Sequence, residues 1–220
     1  MRVAHLTTVD MSLYYLLLPQ LRAVRDAGGE AVGISAPGPW VDALEQEGIR
    51  HIALPASTRG FDPMADLRSA ADLWQVLRRL RVDVLHTHNP KPGLYGRLVG
   101  RAKRVPAIVN TVHGYYATPD DRWTKRAVVY GLEAVAARCS DAELFQNEED
   151  LDLATRLRLV PPRRGRLLGN GIDLARFDPD RFSTADRAAL RARLGVTDHE
   201  VVVGSVGRLV AEKGYAELFE

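Results

Sequence analysis

Strand-like and helix-like segments alternate from the start of the sequence to about residue 170, and this alternation decides the fold class. The strand-like segments at 2–7, 31–35, 50–54, 83–87, 107–112, 142–145 and 165–168 are short and largely apolar. They lack the every-other-residue polarity of a sheet with one wet face. Such strands are covered on both faces, and a helix between consecutive strands supplies the crossover that covers them. The pattern predicts an α/β fold with a doubly wound parallel sheet. Helix signals fill the gaps. Ser12 is placed to cap a helix to Ala27, where Gly28 and Gly29 stop it, and Gly48 closes a short helix over 40–47. Pro63 opens a long helix to about Leu80, and further helices are expected over 92–103, 120–138 and 148–157.

From Asp173 the text changes to a connection rich in Pro, Asp and Arg. A helix is expected over 185–194 before Gly195, a strand over 200–206 and a helix from 212. At roughly 150 residues per domain, 220 residues make about one and a half domains. The expected organisation is therefore a complete domain over 1–175. The linker and first βα unit of a second domain, cut short, would occupy 176–220. That remainder is too small for a core of its own, and a lone strand over 200–206 cannot bury itself.

The composition, 46% apolar and 26% charged, fits a globular chain and excludes disorder as the main state. The lone Cys139 excludes a disulfide scaffold and a cysteine-cluster metal site. No run of 18 apolar residues is present, and the apolar stretch 13–18 lacks a basic flank and a cleavage site. The cytoplasm is the default compartment on that reading. The net charge of +2 hides a basic middle, because 78–126 holds 11 basic and 3 acidic residues. This stretch suits a phosphate or an anionic lipid surface, with no nucleic acid expected; solvated helix faces are the plain alternative.

Ligands of doubly wound sheets bind beyond the carboxyl ends of the strands. Those ends hold Thr8, His88, Asn89, His113, Gly114, Tyr115, Asn170 and Gly171. After the first strand the text is TTVDMS, without the G-x-G-x-x-G fingerprint, so a nicotinamide or flavin enzyme is disfavoured. A P-loop and a G-x-S-x-G elbow are also missing from the sequence. His86 and His88, two apart on a strand, share a face and with His113 would suit a zinc site or simple hydrogen bonds. No carboxylate nearby would support such ligands, so no metal is expected. His113, at a strand tip before Gly114, is placed to orient a ligand hydroxyl or share its proton, or to make a structural hydrogen bond. Gly207, Arg208 and Lys213 gather backbone access and two cations at a helix start, which suits a diphosphate.

Three motifs, taken together, resemble a known family. They are His113-Gly114 after a strand, Asn170-Gly171-Ile172-Asp173 running into Phe177-Asp178-Pro179, and Gly207-Arg208-Leu209 with Lys213-Gly214. In order and spacing they resemble the retaining glycosyltransferases of family 4, with the GT-B fold. The run Lys91-Pro92-Gly93-Leu94-Tyr95-Gly96-Arg97, followed by 110–114, is similar to bacterial members that build surface polysaccharides and glycans on lipid-diphosphate carriers. The resemblance covers essentially the whole chain.

It implies two Rossmann-like domains across a cleft, the first mainly for acceptor and the second for a nucleotide-sugar donor. Arg208 and Lys213, beside Gly207, would hold the donor diphosphate, doing with charge what a metal does elsewhere, so that no cofactor is needed. His113 would lie near the transferred sugar as the catalytic side chain. The acceptor would be a glycan or a polyprenyl-diphosphate-linked sugar, and transfer would retain configuration. The chain carries Thr7, Thr8 and Val9 where many members have a glycine-rich loop. The family's paired-glutamate donor motif falls beyond Glu220, so these 220 residues alone are expected to be inactive.

Members with lipid-linked acceptors dock on the inner face of the plasma membrane. Arg78, Arg79, Arg81, Arg101, Lys103, Arg104, Lys125 and Arg126 would supply that peripheral contact here. Two further readings are a non-catalytic acceptor- or lipid-binding subunit with a separate donor partner, and a sugar-nucleotide epimerase. The motif set disfavours the epimerase.

Overall fold

The structure is a computed structural model that describes residues 1–60, 62–88, 90–118, 120–207, 209, 210 and 213–220. The chain divides into two compact units, Met1–Asn170 and Gly171–Glu220.

The first unit is built on a seven-stranded sheet. Its strands are β1 (Arg2–Val9), β2 (Glu30–Ala36), β3 (Arg50–Ala53), β4 (Val84–His88), β5 (Ala107–Val112), β6 (Ala142–Phe145) and β7 (Gly165–Leu167). Their order is β3-β2-β1-β4-β5-β6-β7, and every neighbouring pair is parallel. The order reverses between β1 and β4, which opens a crevice at their carboxyl ends. This is the α/β, doubly wound, Rossmann-like sheet that the alternation predicts.

Successive strand residues point to opposite faces. Ala4, Leu6, Val32, Ile34, Leu85 and Ile108 form one core with Leu73 and Leu77 of α4 (Pro63–Arg79) and Tyr95 of α5 (Pro90–Ala102). The other face packs Ala31 against Leu13, Leu17, Leu18, Leu21 and Leu44. A third cluster joins Val112 and Phe145 to Tyr130 of α6 (Trp123–Ala137) and to Leu153 of α7 (Glu148–Arg156). Two helix starts are capped as their sequences dictate. The Asp62 side chain accepts from Ala65 N at 2.9 Å, and that of Asn147 accepts from Asp150 N at 2.7 Å.

The first crossover departs from the simple helix expected after Ser12. It runs as α1 (Asp10–Ser12), a π-helical turn (Leu13–Leu17) and α2 (Leu18–Asp26), and Ser12 makes no capping bond. The wider turn places both Leu13 and Leu17 inward while Tyr15 and Leu16 stay exposed. Buried Asp10 takes the anchoring role. Its carboxylate accepts from Met11 N at 2.8 Å and from Trp40 N at 2.7 Å. This ties the loop before α3 (Val41–Gln46) to the end of β1.

The second unit holds a short 3-10 turn (Pro179–Arg181), α8 (Thr184–Leu194) and α9 (Tyr215–Phe219). α8 has a capping box between Ser183 and Asp186 and stops at Gly195, whose φ is +69°. The strand expected over 200–206 does not form. Val201, Val203 and Val206 are exposed by 90%, 75% and 105%, and an extended segment without a paired neighbour has no ladder to join. None of the described residues in 171–220 is buried.

Candidate active site

The carboxyl ends of β1, β4, β5 and β6 bring Thr8, His88, His113 and Gln146 toward one edge of the first unit. Parallel pairing sets the register: His5 lies opposite His86, and His88 opposite Thr111. His5, His86 and His88 therefore share one face of the sheet.

Three imidazoles form a hydrogen-bonded chain across these strands. His5 Nδ1 lies 3.1 Å from His88 Nε2, and His88 Nδ1 lies 3.2 Å from His113 Nε2. His113 Nδ1 then meets Gln146 Oε1 at 3.0 Å. His86 lies beside His88, with ring centroids 4.1 Å apart and planes tilted by 32°, and its Nε2 is 2.8 Å from Thr111 Oγ1. Burial lowers the pKa of every ring in the group. His5 is pushed down to about 4, and His86 and His88 fall well below the ordinary value. Half-buried His113 is lowered by burial, partly offset by its bond to Gln146. The rings are neutral at neutral pH.

Gly114 follows His113 with φ at +110°, a conformation that favours glycine, and stands exposed at the strand tip. Beside it Tyr115 is half buried and Tyr116 is exposed. Burial first, then the Glu133 charge, pushes the Tyr115 hydroxyl pKa up. A small pocket here is lined by His113, Gly114, both tyrosines, Asn110, Arg97 and Glu133, among others.

Arg97, Asn110 and Glu133 of this lining belong to a charged network that the motif reading passes over. Arg97 reaches Glu143 at 2.8 Å, Glu133 at 2.6 Å and the Gly93 carbonyl at 2.5 Å. Asn110 Nδ2 donates to the other Glu143 oxygen at 2.7 Å, and Thr87 donates to Asn110 at 2.8 Å. Its sequence signal was present: Glu143 is an acid inside a short strand predicted to be buried, and a buried acid needs a partner.

Thr8 is buried, and its carbonyl accepts from Ser57. Asn170 ends the first unit, and Gly171 opens the second; both are exposed. Of the diphosphate candidates, Gly207 and Lys213 lie in the second unit and are exposed. Asn89 and Arg208 lie outside the described residues.

Among the described residues, the group that could hold a metal is His5, His86 and His88, each offering one nitrogen within 4.8 Å of the others. His113 stands outside this group, so the zinc set considered from the sequence has a different membership. The histidine on the first strand is the one the spacing argument did not include.

The basic residues do not form one patch. Helices run back along the sheet, so the ends of α4 and α5 lie at the amino edge of the strands. Arg78, Arg79, Arg81, Arg101, Lys103 and Arg104 belong to that edge. There Arg101 pairs with Asp141 at 2.9 Å, and the Lys103 ammonium sits 4.4 Å from the Trp74 ring centre. Lys125 and Arg126 open α6 at the opposite edge, which carries the site. Beside them are Trp123, 76% exposed, Tyr116, and a stripe of exposed Val128, Leu132 and Val135.

Residues 17–171 match the family described as the glycosyl transferase 4-like domain. The chain belongs to that family. One relative is the UDP-Gal:alpha-D-GlcNAc-diphosphoundecaprenol alpha-1,3-galactosyltransferase of Escherichia coli. It is 30% identical over 177 residues, covering 80% of this chain and 44% of that protein. Another is the N,N'-diacetylbacillosaminyl-diphospho-undecaprenol alpha-1,3-N-acetylgalactosaminyltransferase of Campylobacter jejuni. It is 22% identical, covering 100% of this chain and 59% of that protein. Among solved structures, sucrose-phosphate synthase from Thermosynechococcus elongatus superposes with a TM-score of 0.73 at 17% identity, over 99% of this chain and 58% of the other. The chain thus spans about half the length of the relatives it matches.

Proposed function

We propose that this chain forms the acceptor-side part of a glycosyltransferase. The enzyme would move a sugar from a nucleotide-diphosphate donor to a lipid-diphosphate-linked glycan, with retention. One observation carries the reading: the matched family region, 17–171, covers most of the unit, Met1–Asn170, whose strand ends gather Thr8, His88, His113 and Gly114. The Escherichia coli and Campylobacter relatives, whose names specify undecaprenol-diphosphate-linked acceptors, support that acceptor class.

His113 and Gly114 face the reacting sugars in this reading. The donor diphosphate belongs to Gly207, Arg208 and Lys213, whose charge serves in place of a metal. Gly207 and Lys213 lie in a unit with no buried residue among those described, which supports the reading that the 220 residues alone do not bind a donor productively. The working location is the inner face of the plasma membrane, reached through the aromatic and basic start of α6.

A water-soluble, short-chain polyprenyl-diphosphate GlcNAc tests the reading by amide chemical shifts of the 220-residue protein. Shifts centred on 8, 88, 113 and 114 are expected, with no sugar transfer when UDP-sugars are added. Silence at those amides through millimolar acceptor overturns the acceptor-site reading. Product formed by these 220 residues overturns the division of labour.

A further inference from the structure

With the Gln146 amide oxygen facing His113, the imidazole chain has one consistent placement of protons. A side-chain amide oxygen only accepts, so His113 Nδ1, 3.0 Å from Gln146 Oε1, carries the hydrogen. In a neutral ring the other nitrogen is then bare. His113 Nε2 faces His88 Nδ1 at 3.2 Å, so His88 donates from Nδ1. His88 Nε2 is left bare and takes the hydrogen of His5 Nδ1 at 3.1 Å. An extra proton on His88 Nε2 would confront the hydrogen already on His5.

The geometry suits this chain better than a shared metal. The His5 and His88 rings lie nearly coplanar, 13° apart, and meet edge to edge. The nitrogens of His5, His86 and His88 spread to within 4.8 Å, against about 3.4 Å between ligands of a tetrahedral zinc.

We propose that His5 and His88 are positioning residues that lock His113 as the neutral tautomer with its hydrogen on Nδ1. A ligand oxygen that displaces Gln146 then meets a hydrogen-bond donor, and both His113 nitrogens are committed before any ligand arrives. His113 therefore recognises an acceptor oxygen and does not act as a general base. That bearing on catalysis rests on the transferase reading; the lock itself does not, and its test needs no sugar.

Long-range 1H–15N spectra of the 15N-labelled 220-residue protein read the tautomers directly. His5, His88 and His113 are expected to show a protonated Nδ1 and a bare Nε2. His88→Gln keeps an amide donor and should preserve the His113 pattern, whereas His88→Phe should mix its tautomers. A wild-type His113 protonated at Nε2 overturns the lock without recourse to any variant. So does an unmoved His113 in folded His88→Phe, or equimolar zinc that shifts His5, His86 and His88 together.

Discussion

Arg97 and Glu143 pair at 2.8 Å with both side chains only 1% exposed, and Arg97 also lines the pocket at His113 and Gly114. The pair is a support for the strand ends, because Glu143 also fixes Asn110 on β5. Removing the cation leaves a buried carboxylate without its compensating charge. Arg97→Ala is expected to cost about 3–5 kcal/mol in urea unfolding. A loss below about 1 kcal/mol would show that water reaches Glu143 and that the network is weakly coupled to the fold.

Gly96 brings α5 close to the sheet. A Cβ placed there would lie 2.6 Å from Leu6 Cδ2 and 2.7 Å from Thr87 Cγ2, both part of the buried interface. Gly96→Ala should destabilise by about 1–3 kcal/mol through overpacking, despite the better helix propensity of alanine. Denaturant midpoints decide the sign, and a stabilised variant would refute the close approach.

The histidine cluster makes stability depend on pH. His5 has a folded pKa of about 4 against an ordinary 6.5, and His86 and His88 are lowered in the same direction. Between these values the unfolded chain binds protons that the folded chain refuses. Stability is therefore full above pH 6.5 and declines as pH falls toward 4, by about 1.4 kcal/mol per pH unit for each ring differing by a whole proton. Urea midpoints at about pH 8 and about pH 5 measure this. His5→Asn should flatten the slope, and equal midpoints in the wild type would contradict the burial.

Surface binding should follow α6 and not the whole basic stretch. Flotation with anionic vesicles at low salt should recover the chain, with each basic residue near the surface worth about 1 kcal/mol. Trp123→Ser with Val128→Ser should abolish recovery, while Arg78→Ser with Arg79→Ser should leave it intact. Failure of the wild type to float at low salt would end the proposal.

Much of the sheet was legible because short apolar segments have few alternatives once helices separate them. The bounds predicted for β5 and β6 are those observed, and the strand-end placement of His88 and His113 follows from the same pattern. Other features depend on partners distant in sequence. Nothing near Glu143 announces Arg97, 46 positions away, and His5 joins His86 only through strand register. The π-helical turn at Leu13–Leu17 was hidden because five apolar residues fit an α-helix equally well. The strand expected over 200–206 failed for the converse reason: local β-propensity found no neighbouring ladder.

The second unit bears on how this chain melts. Calorimetric enthalpy comes from disrupting an interior, and none of the described residues in 171–220 belongs to one. Heating should therefore show a single cooperative endotherm whose size reflects Met1–Asn170, about 120 kcal/mol, and not the roughly 150 kcal/mol of a uniformly packed 220-residue chain. Residues 171–220 would unfold without a peak of their own.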